Sequence, residues 1–204
     1  MTNADAAWRT LMDCVTPLPV EDRPLEDSLH RYLAVPVLAD RDAPAADRAA
    51  MDGYAVRAED VASPPVTLRI VAEVAAGSPA RPHLSPGECV RILTGANVPP
   101  DANAVVMREE TGPSEGEHVT LLAPVRRGQH ILHRGENARR GDVLLEAGAR
   151  LDASAVALCA AVGCARPRVH ALPRIGVIST GSELKAADAA VGDHEAREAG
   201  AGPL

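Results

Sequence analysis

Aromatic residues and lysine are nearly missing from this sequence. Its 204 residues include no phenylalanine, two tyrosines and one tryptophan. Lysine occurs once, at Lys185, so arginine supplies the rest of the 21 basic residues. The formal net charge is −7, whereas a nucleic-acid-binding protein would show a basic stripe. Composition therefore argues against a nucleic-acid partner and leaves a small anionic ligand possible, because such a site needs only local positive charge and oriented amides.

Cysteines and long apolar runs are also sparse. Cys14, Cys89, Cys159 and Cys164 show no CxxC spacing and no neighbouring His cluster, which favours free thiols in a reducing cytoplasm over a disulfide or a metal site. No apolar run approaches the ~20 residues that cross a bilayer, and the first residues lack the pattern of a signal peptide. We therefore expect a cytoplasmic protein with no membrane partner.

Helical spacing of apolar residues predicts two helices early in the chain and one later. The first is predicted over Thr2–Cys14 with Thr2 as its cap, and the second over Pro24–Ala34. The third is predicted over Ala153–Val162, with Asp152 as its cap and Gly163 ending it in the left-handed region.

Short apolar segments separated by glycine and proline fill much of the rest of the chain. Such spacing is typical of a small barrel or sandwich. We predict strands at Val35–Leu38, Val66–Ala76, Glu88–Leu93, Ala104–Met107, His118–Leu122, Val143–Leu145 and Arg168–Ala171.

The stretch Met51-Asp52-Gly53-Tyr54 places an acid and a glycine beside one of the three aromatic residues. Asp-Gly is a turn dipeptide, because glycine supplies positive φ and aspartate bonds its own backbone. An ordinary turn leading into a strand therefore explains the stretch by itself. Thr94-Gly95 is explained in the same way as a turn, and Arg134-Gly135-Glu136 as the tip of a surface hairpin.

A continuous apolar run, Ile175 to Ile178, precedes Ser179-Thr180-Gly181-Ser182-Glu183. Such a run is typical of a parallel strand that is covered on both faces. A helix is predicted from Glu183 onward, and the amides before it could then hold a phosphate. One strand and one helix cannot complete a parallel sheet, so we expect residues 173–204 to be the truncated start of an α/β domain.

The four stretches, in this order, resemble the molybdopterin molybdenumtransferase family, the group of MoeA and the gephyrin E-domain. The resemblance runs from about Leu25 to Leu184. Pattern and resemblance together imply an α+β fold. Residues 1–46 and 139–172 would form a composite helical and β domain, residues 47–138 a β-rich barrel-like domain, and residues 173–204 the incomplete α/β, molybdopterin-binding part.

The resemblance implies a role in molybdenum cofactor biosynthesis. The expected reaction inserts molybdate into adenylylated molybdopterin and releases AMP, with Mg²⁺ assisting. The expected assembly is a homodimer whose site lies between the β-rich domain of one subunit and the α/β domain of the other. The molybdopterin adenylyltransferase and molybdoenzyme apoproteins are the further partners that the resemblance suggests.

The resemblance also assigns roles by position. Asp52 and Thr94 are the catalytic candidates, and Asp52 is the candidate metal ligand, since Mg²⁺ prefers a few carboxylates together with waters. Arg134 offers a planar fork suited to oxyanions. The candidates for binding the cofactor are Arg134, Ser179, Thr180, Gly181, Ser182 and Glu183.

Some positions depart from the family pattern, which commonly has aspartate where Asn137 and Ser182 stand and serine where Ala49 stands. Two other hypotheses therefore stay open. One is a truncated, non-catalytic dimerisation module of the same family, which we favour for these 204 residues acting alone. The other is a small anion-binding β module unrelated to the cofactor.

Overall fold

Short strands dominate the fold. The computed structural model describes residues 3–113 and 116–199, and within them it has two α-helices, α1 (Ala4–Cys14) and α2 (Ala153–Ala161). The strands are β1 (Val20–Asp22), β2 (Val37–Leu38), β3 (Arg48–Ala49), β4 (Gly53–Val56), β5 (Val66–Val74), β6 (Glu88–Ile92), β7 (Ala104–Met107), β8 (His118–Leu121), β9 (Ile131–Leu132), β10 (Val143–Leu145), β11 (Arg168–His170), β12 (Leu184–Lys185) and β13 (Ala196–Arg197). Single 3₁₀ turns lie at Leu25–Asp27, Ala58–Val61 and Arg108–Glu110.

A five-stranded sheet with the order β7-β4-β6-β5-β8 forms the centre of the described structure. Strand β4 pairs antiparallel with β6 on one side and with β7 on the other, whereas β5 and β6 run parallel. Beyond β7, Thr111 bridges Leu121 of β8, so the sheet curls towards itself. The architecture is mostly β with two helices, which confirms the α+β class at this level.

Apolar clusters cover both faces of the sheet, which is why all four residues of β4 are buried. One cluster contains Tyr54, Val56, Val61, Leu68, Cys89, Ala104, Val106, Val119, Leu121 and Val125. The other contains Ala49, Ala55, Val74, Leu84, Val90, Ile92, Ala96 and Val105. The predicted strands from residue 66 to residue 122 are therefore confirmed, because each supplies side chains to one or both clusters.

A separate cluster joins the early and late parts of the chain around α2. It contains Leu33, Val37, Leu151, Ala155, Cys159 and Val169. Two antiparallel pairs, β1 with β11 and β2 with β10, hold these parts together. The buried Arg31 guanidinium donates to the carbonyl oxygen of His170, at 3.2 Å from Nε and 2.7 Å from Nη2, and it also pairs with Glu21.

The two helices near the N-terminus differ from the prediction. Helix α1 begins at Ala4 and is capped by Asn3, whose Oδ1 accepts from Ala6 N at 2.8 Å; Thr2, the predicted cap, lies outside the described residues. The predicted helix over Pro24–Ala34 is wrong, because only the 3₁₀ turn Leu25–Asp27 forms. The backbone after that turn bonds to distant segments instead, with Leu33 N donating to Ala149 O at 2.9 Å.

The helix predicted near residue 153 is confirmed. Asp152 caps α2 by accepting from Ala155 N at 2.8 Å, and Gly163 has a φ of 73° just beyond its end. Within the described residues, neither helix is long and apolar enough to cross a membrane.

The parallel strand and helix predicted after residue 174 are wrong. Residues 175–178 form no strand, and Ile175 and Ile178 are 74% and 88% exposed. Instead of a helix after Glu183, β12 pairs in parallel with β13. No neighbouring strand in the described part of the chain bonds to the apolar run, and a parallel strand requires such neighbours on its edges.

Candidate active site

Three loops meet at one edge of the five-stranded sheet, the edge formed by the ends of its strands rather than by an outer strand. Because β4 runs antiparallel to both neighbours, its beginning lies beside the ends of β6 and β7, and Gly53 pairs with Ile92 on one side and Met107 on the other. Asp52 precedes β4, Thr94 follows β6 by two residues and Arg108 follows β7 directly. The register of the sheet therefore gathers an acid, a hydroxyl and a guanidinium at this edge.

Asp52 and Thr94 are joined by two hydrogen bonds. The Thr94 amide and the Thr94 Oγ1 hydroxyl each donate to Asp52 Oδ1 at 2.7 Å. The hydroxyl bond is the largest cause that lowers the pKa of the Asp52 carboxyl below its ordinary value of 3.8. The amide bond and nearby Arg108 act in the same direction. The carboxylate is therefore ionised at neutral pH and exposed to solvent, which suits a group that meets a cation or a polar substrate.

The backbone around Thr94 explains why its amide points at Asp52. Gly95 N donates to Ala49 O at 2.8 Å, and Ala49 N donates to Ala96 O at 2.9 Å. Leu93 N donates to Val74 O at 3.1 Å. The Thr94-Gly95 turn is thus fixed to β3 on one side and to the end of β5 on the other, so Thr94 is held in place rather than left on a free loop.

Gly53 is required for a reason other than the positive φ that the Asp-Gly pattern predicted. Its φ is not in the left-handed region. A Cβ at this position would lie 2.9 Å from the carbonyl carbon of Val106 and still closer to its oxygen. Glycine therefore allows β4 and β7 to approach closely, and that approach brings Asp52 beside Arg108, whose amide donates to Asp52 O at 3.0 Å.

A small open cleft of about 20 Å³ lies beside Asp52. Its lining residues are Asp52, Gly53, Tyr54, Arg91, Ile92, Leu93 and Arg108. Sequence reasoning missed Arg91 and Arg108, because their place in the cleft depends on the pairing of β4 with both neighbours. The only signal for Arg108 was its position directly after an apolar strand.

Arg134 is held away from this cleft. Its Nε donates to Asp42 Oδ2 at 2.6 Å, and its amide donates to Asp47 Oδ1 at 2.8 Å. In the described residues, no hydrogen bond, ion pair or shared cavity links Arg134 to Asp52. Its proposed binding role is therefore separate from the Asp52–Thr94 pair within one chain.

The stretch Ser179–Glu183 does not form the helix N-terminus that was predicted to hold a phosphate. The Ser179 hydroxyl donates to Glu198 Oε1 at 2.7 Å, and Leu184 N donates to Gly181 O at 3.3 Å. No hydrogen bond or ion pair joins this stretch to Asp52 among residues 3–113 and 116–199. The prediction was wrong about the helix because it assumed that Ile175 to Ile178 would be a covered strand.

Metal-binding capacity at this edge is modest. Nowhere in the described residues do three or more His, Cys, Asp or Glu side chains cluster as a metal site. Asp52 Oδ1 is occupied by Thr94, and within the same residues Oδ2 accepts no hydrogen bond. One free carboxylate oxygen fits Mg²⁺ only where waters or substrate oxygens complete its coordination, which is how Mg²⁺ is usually bound.

Comparison with known proteins shows which family the chain belongs to. Residues 2–163 match the family model described as the MoeA N-terminal region, domain I and II. The chain belongs to this MoeA family. The molybdopterin molybdenumtransferase of Bacillus subtilis is 42% identical over 167 residues, which cover 78% of this chain and 39% of that protein. The enzyme of the same name from Haemophilus influenzae is 34% identical over 184 residues, covering 90% of this chain and 45% of that protein.

A solved MoeA structure from Pyrococcus horikoshii has the same fold, with a TM-score of 0.83 and 37% identity. The match covers 89% of this chain and 49% of that one. The resemblance of the sequence to the MoeA group is therefore confirmed. The chain spans about two fifths of the length of the Bacillus relative that it matches.

Proposed function

We propose that this chain acts in molybdenum cofactor biosynthesis, as part of a molybdopterin molybdenumtransferase. The reaction would insert molybdate into adenylylated molybdopterin and release AMP. Family membership and the names of the relatives support the pathway. The observation that carries the reaction is the Asp52–Thr94 pair, with both donors of Thr94 at 2.7 Å from one carboxylate oxygen at the mouth of an open cleft.

The chemistry assigned to each group follows from that geometry. Thr94 fixes the orientation of the Asp52 carboxylate, and the same bonds keep the carboxylate ionised by lowering its pKa. Asp52 Oδ2 is then the oxygen that would hold Mg²⁺, which when bound offsets phosphate charge. No covalent nucleophile is required, because positioning and charge neutralisation account for such a reaction.

The assembly is part of the proposal. The site would be shared in a homodimer, between the Asp52–Thr94 edge of one subunit and the α/β part of the other, which contributes Ser179, Thr180, Gly181, Ser182 and Glu183. Arg134 is assigned to binding the cofactor, and the molybdopterin adenylyltransferase and molybdoenzyme apoproteins are the proposed further partners.

The test is AMP release. The purified chain is mixed with adenylylated molybdopterin, molybdate and Mg²⁺, and AMP is quantified by chromatography for the intact chain, for Asp52→Ala and for Asp101→Asn. Asp101 is a matched control, since this exposed acid pairs with His83 away from the cleft. We expect Asp52→Ala to abolish release and Asp101→Asn to keep it. Equal release from the intact chain and Asp52→Ala would remove Asp52 from the reaction.

A second candidate function is a non-catalytic dimerisation module of the same family. It is favoured by the conformation of Ser179–Glu183, which lacks a helix N-terminus and has the Ser179 hydroxyl bonded to Glu198. This candidate predicts no AMP release from the intact chain together with a stable dimer in sedimentation. AMP release that depends on Asp52 would reject it.

A further inference from the structure

The second arginine of the cleft, Arg108, is the residue that neither sequence motif nor family assignment singles out. Its backbone is fixed at the site, because Met107 pairs with Gly53 and the Arg108 amide donates to Asp52 O at 3.0 Å. The side chain is exposed and lines the same cleft as Asp52. The backbone position of Arg108 relative to Asp52 is thus set by the β4–β7 register rather than by a flexible loop.

The two arginines of the cleft differ in whether an acidic side chain already pairs with their charge. Arg91 Nη1 lies 3.5 Å from Glu73 Oε2, so its charge has a partner. The Arg108 guanidinium makes no side-chain hydrogen bond and no ion pair within residues 3–113 and 116–199, and its interaction with Asp52 there is the longer-range, electrostatic one. All its N–H donors therefore face solvent or a ligand.

An anion that enters this cleft meets an ionised carboxylate, because Asp52 lines it. Asp52 repels such an anion, and a neighbouring guanidinium offsets that repulsion. A guanidinium also presents paired N–H donors that match two oxygens of a tetrahedral anion, which a lysine ammonium cannot do. Arg108 thus brings to this cleft the charge and the donors that an oxyanion requires.

We propose that Arg108 is an anion-binding residue of the Asp52 cleft that takes a tetrahedral oxyanion, either molybdate or a phosphoryl group. Arg108 recognises the oxyanion through its guanidinium fork in the cleft that it lines together with Asp52. The identity of the anion rests on the proposed function. The binding itself rests on the placement of Arg108, Asp52 and Thr94.

Equilibrium dialysis with the full chain tests the inference without turnover. Three probes are used separately, namely molybdate, inorganic phosphate and AMP, and bound anion is measured by elemental or absorbance analysis. We expect Arg108→Gln to weaken binding by about tenfold or more, because a hydrogen bond to a charged group is lost. Arg108→Lys keeps the charge without the fork and should fall between Arg108→Gln and the intact chain. Arg69→Gln, the matched control, should change binding by less than about threefold, since Arg69 pairs with Glu88 at the end of β6 that lies away from the cleft.

The probes separate the two sources of the oxyanion. An effect confined to molybdate assigns Arg108 to the metal oxyanion, and an effect confined to AMP assigns it to the nucleotide phosphoryl group. Either result supports the inference, as does an effect on all three probes. Unchanged binding in Arg108→Gln, equal loss in Arg69→Gln, or no binding of any probe to the intact chain would each overturn it. Thermal unfolding of each variant confirms that the chain is folded.

This result is independent of catalysis. Anion binding that requires Arg108, in a chain that releases no AMP, would reject only the proposed reaction. AMP release that requires Asp52, with anion binding unaffected by Arg108→Gln, would reject only the role of Arg108.

Discussion

At the scale of single residues, the close approach at Gly53 determines the shape of the candidate site. A Cβ there would lie 2.9 Å from the carbonyl carbon of Val106, and backbone atoms of a central strand cannot move aside cheaply. We expect Gly53→Ala to lower the free energy of unfolding by about 3 kcal/mol or more, at the upper end of overpacking effects. The measurement is the urea midpoint of the purified variant.

A matched control exists elsewhere in the chain. A methyl group added at Gly176 would meet no atom within 4 Å apart from its chain neighbours, and the φ of Gly176 is not positive. Gly176→Ala should therefore leave the free energy of unfolding within the ~0.5 kcal/mol range of ordinary surface substitutions. If Gly53→Ala were as stable as Gly176→Ala, the close packing of β4 on β7 would be contradicted.

The Asp52–Thr94 bond makes a prediction about pH. The two bonds from Thr94 hold the Asp52 pKa below 3.8, and the hydroxyl bond is the larger cause. A carboxyl whose pKa is lower in the folded state stabilises the fold above its unfolded pKa, and that stability is lost as pH falls through the lower folded pKa. Thr94→Val removes the hydroxyl bond, so the Asp52 pKa should rise towards 3.8, and the stability lost in acid should become smaller and be fully lost at a higher pH.

Carbon-detected NMR titration of the Asp52 carboxyl measures this directly. Thr94→Ser is the matched control, because it keeps both the hydroxyl and the amide donor and should keep the pKa lowered. An Asp52 pKa in Thr94→Val that is the same as in the intact chain would show that the hydroxyl bond is not the main cause. The amide bond would then be the larger contribution.

At the scale of secondary-structure elements, the cap of α2 makes a separate prediction. Asp152 Oδ1 accepts from Ala155 N at 2.8 Å, and loss of such a cap typically costs about 1 kcal/mol. We expect Asp152→Ala to lower the free energy of unfolding by that amount, and Asp152→Asn, which can still accept the bond, to change it by much less. Equal losses in both variants, measured by denaturant unfolding, would mean that charge rather than the cap bond stabilises the helix.

The same scale shows what the sequence could predict. The strands from residue 66 to residue 122 follow from apolar segments bounded by glycine and proline, because a buried strand must supply apolar side chains to a core. Helix α2 follows from its cap residue and from Gly163. These signals are local, so the sequence alone carries them.

Elements that depend on distant partners could not be predicted in this way. Leu25, Leu29 and Leu33 have helical spacing, yet the backbone at Leu33 bonds to Ala149, far along the chain. The run from Ile175 to Ile178 has the composition of a buried strand but no strand beside it in the described residues. The residues of the candidate site divide in the same way. Asp52 and Thr94 could be identified from their motifs, whereas the place of Arg108 in the site depends on the β4–β7 register.

At the scale of the whole molecule, the described residues form two separate apolar cores, one on the two faces of the five-stranded sheet and one around α2. Both clusters of the five-stranded sheet come from residues between Ala49 and Ile131. The third cluster comes from residues between Leu25 and Val37 and between Leu145 and Val169. This division supports the proposed boundaries, with residues 47–138 as one domain and residues 1–46 with 139–172 as another.

A fragment of residues 47–138 tests that division. It keeps every strand of the five-stranded sheet, both of its apolar clusters and the Asp52–Thr94 pair. We expect the fragment to unfold cooperatively in urea, as single domains of this size usually do, and to show the lowered Asp52 pKa. It loses the bond that Arg134 Nε donates to Asp42 Oδ2 and the bond that Gly135 N donates to Pro44 O, so its stability should be somewhat lower than that of the intact chain.

The intact chain supplies the control for the fragment. Arg31 lies in the other proposed domain and bonds to His170 O and Glu21 there, so Arg31→Lys, which loses the fork, should destabilise that domain alone if the proposed division is correct. Two urea transitions, of which only one shifts in Arg31→Lys and the other matches the fragment, would establish independent domains. A single transition that shifts as a whole, or a fragment that unfolds without cooperativity, would show that the sheet depends on the domain around α2. The candidate site would then need both domains for its geometry, even though all its residues lie in one.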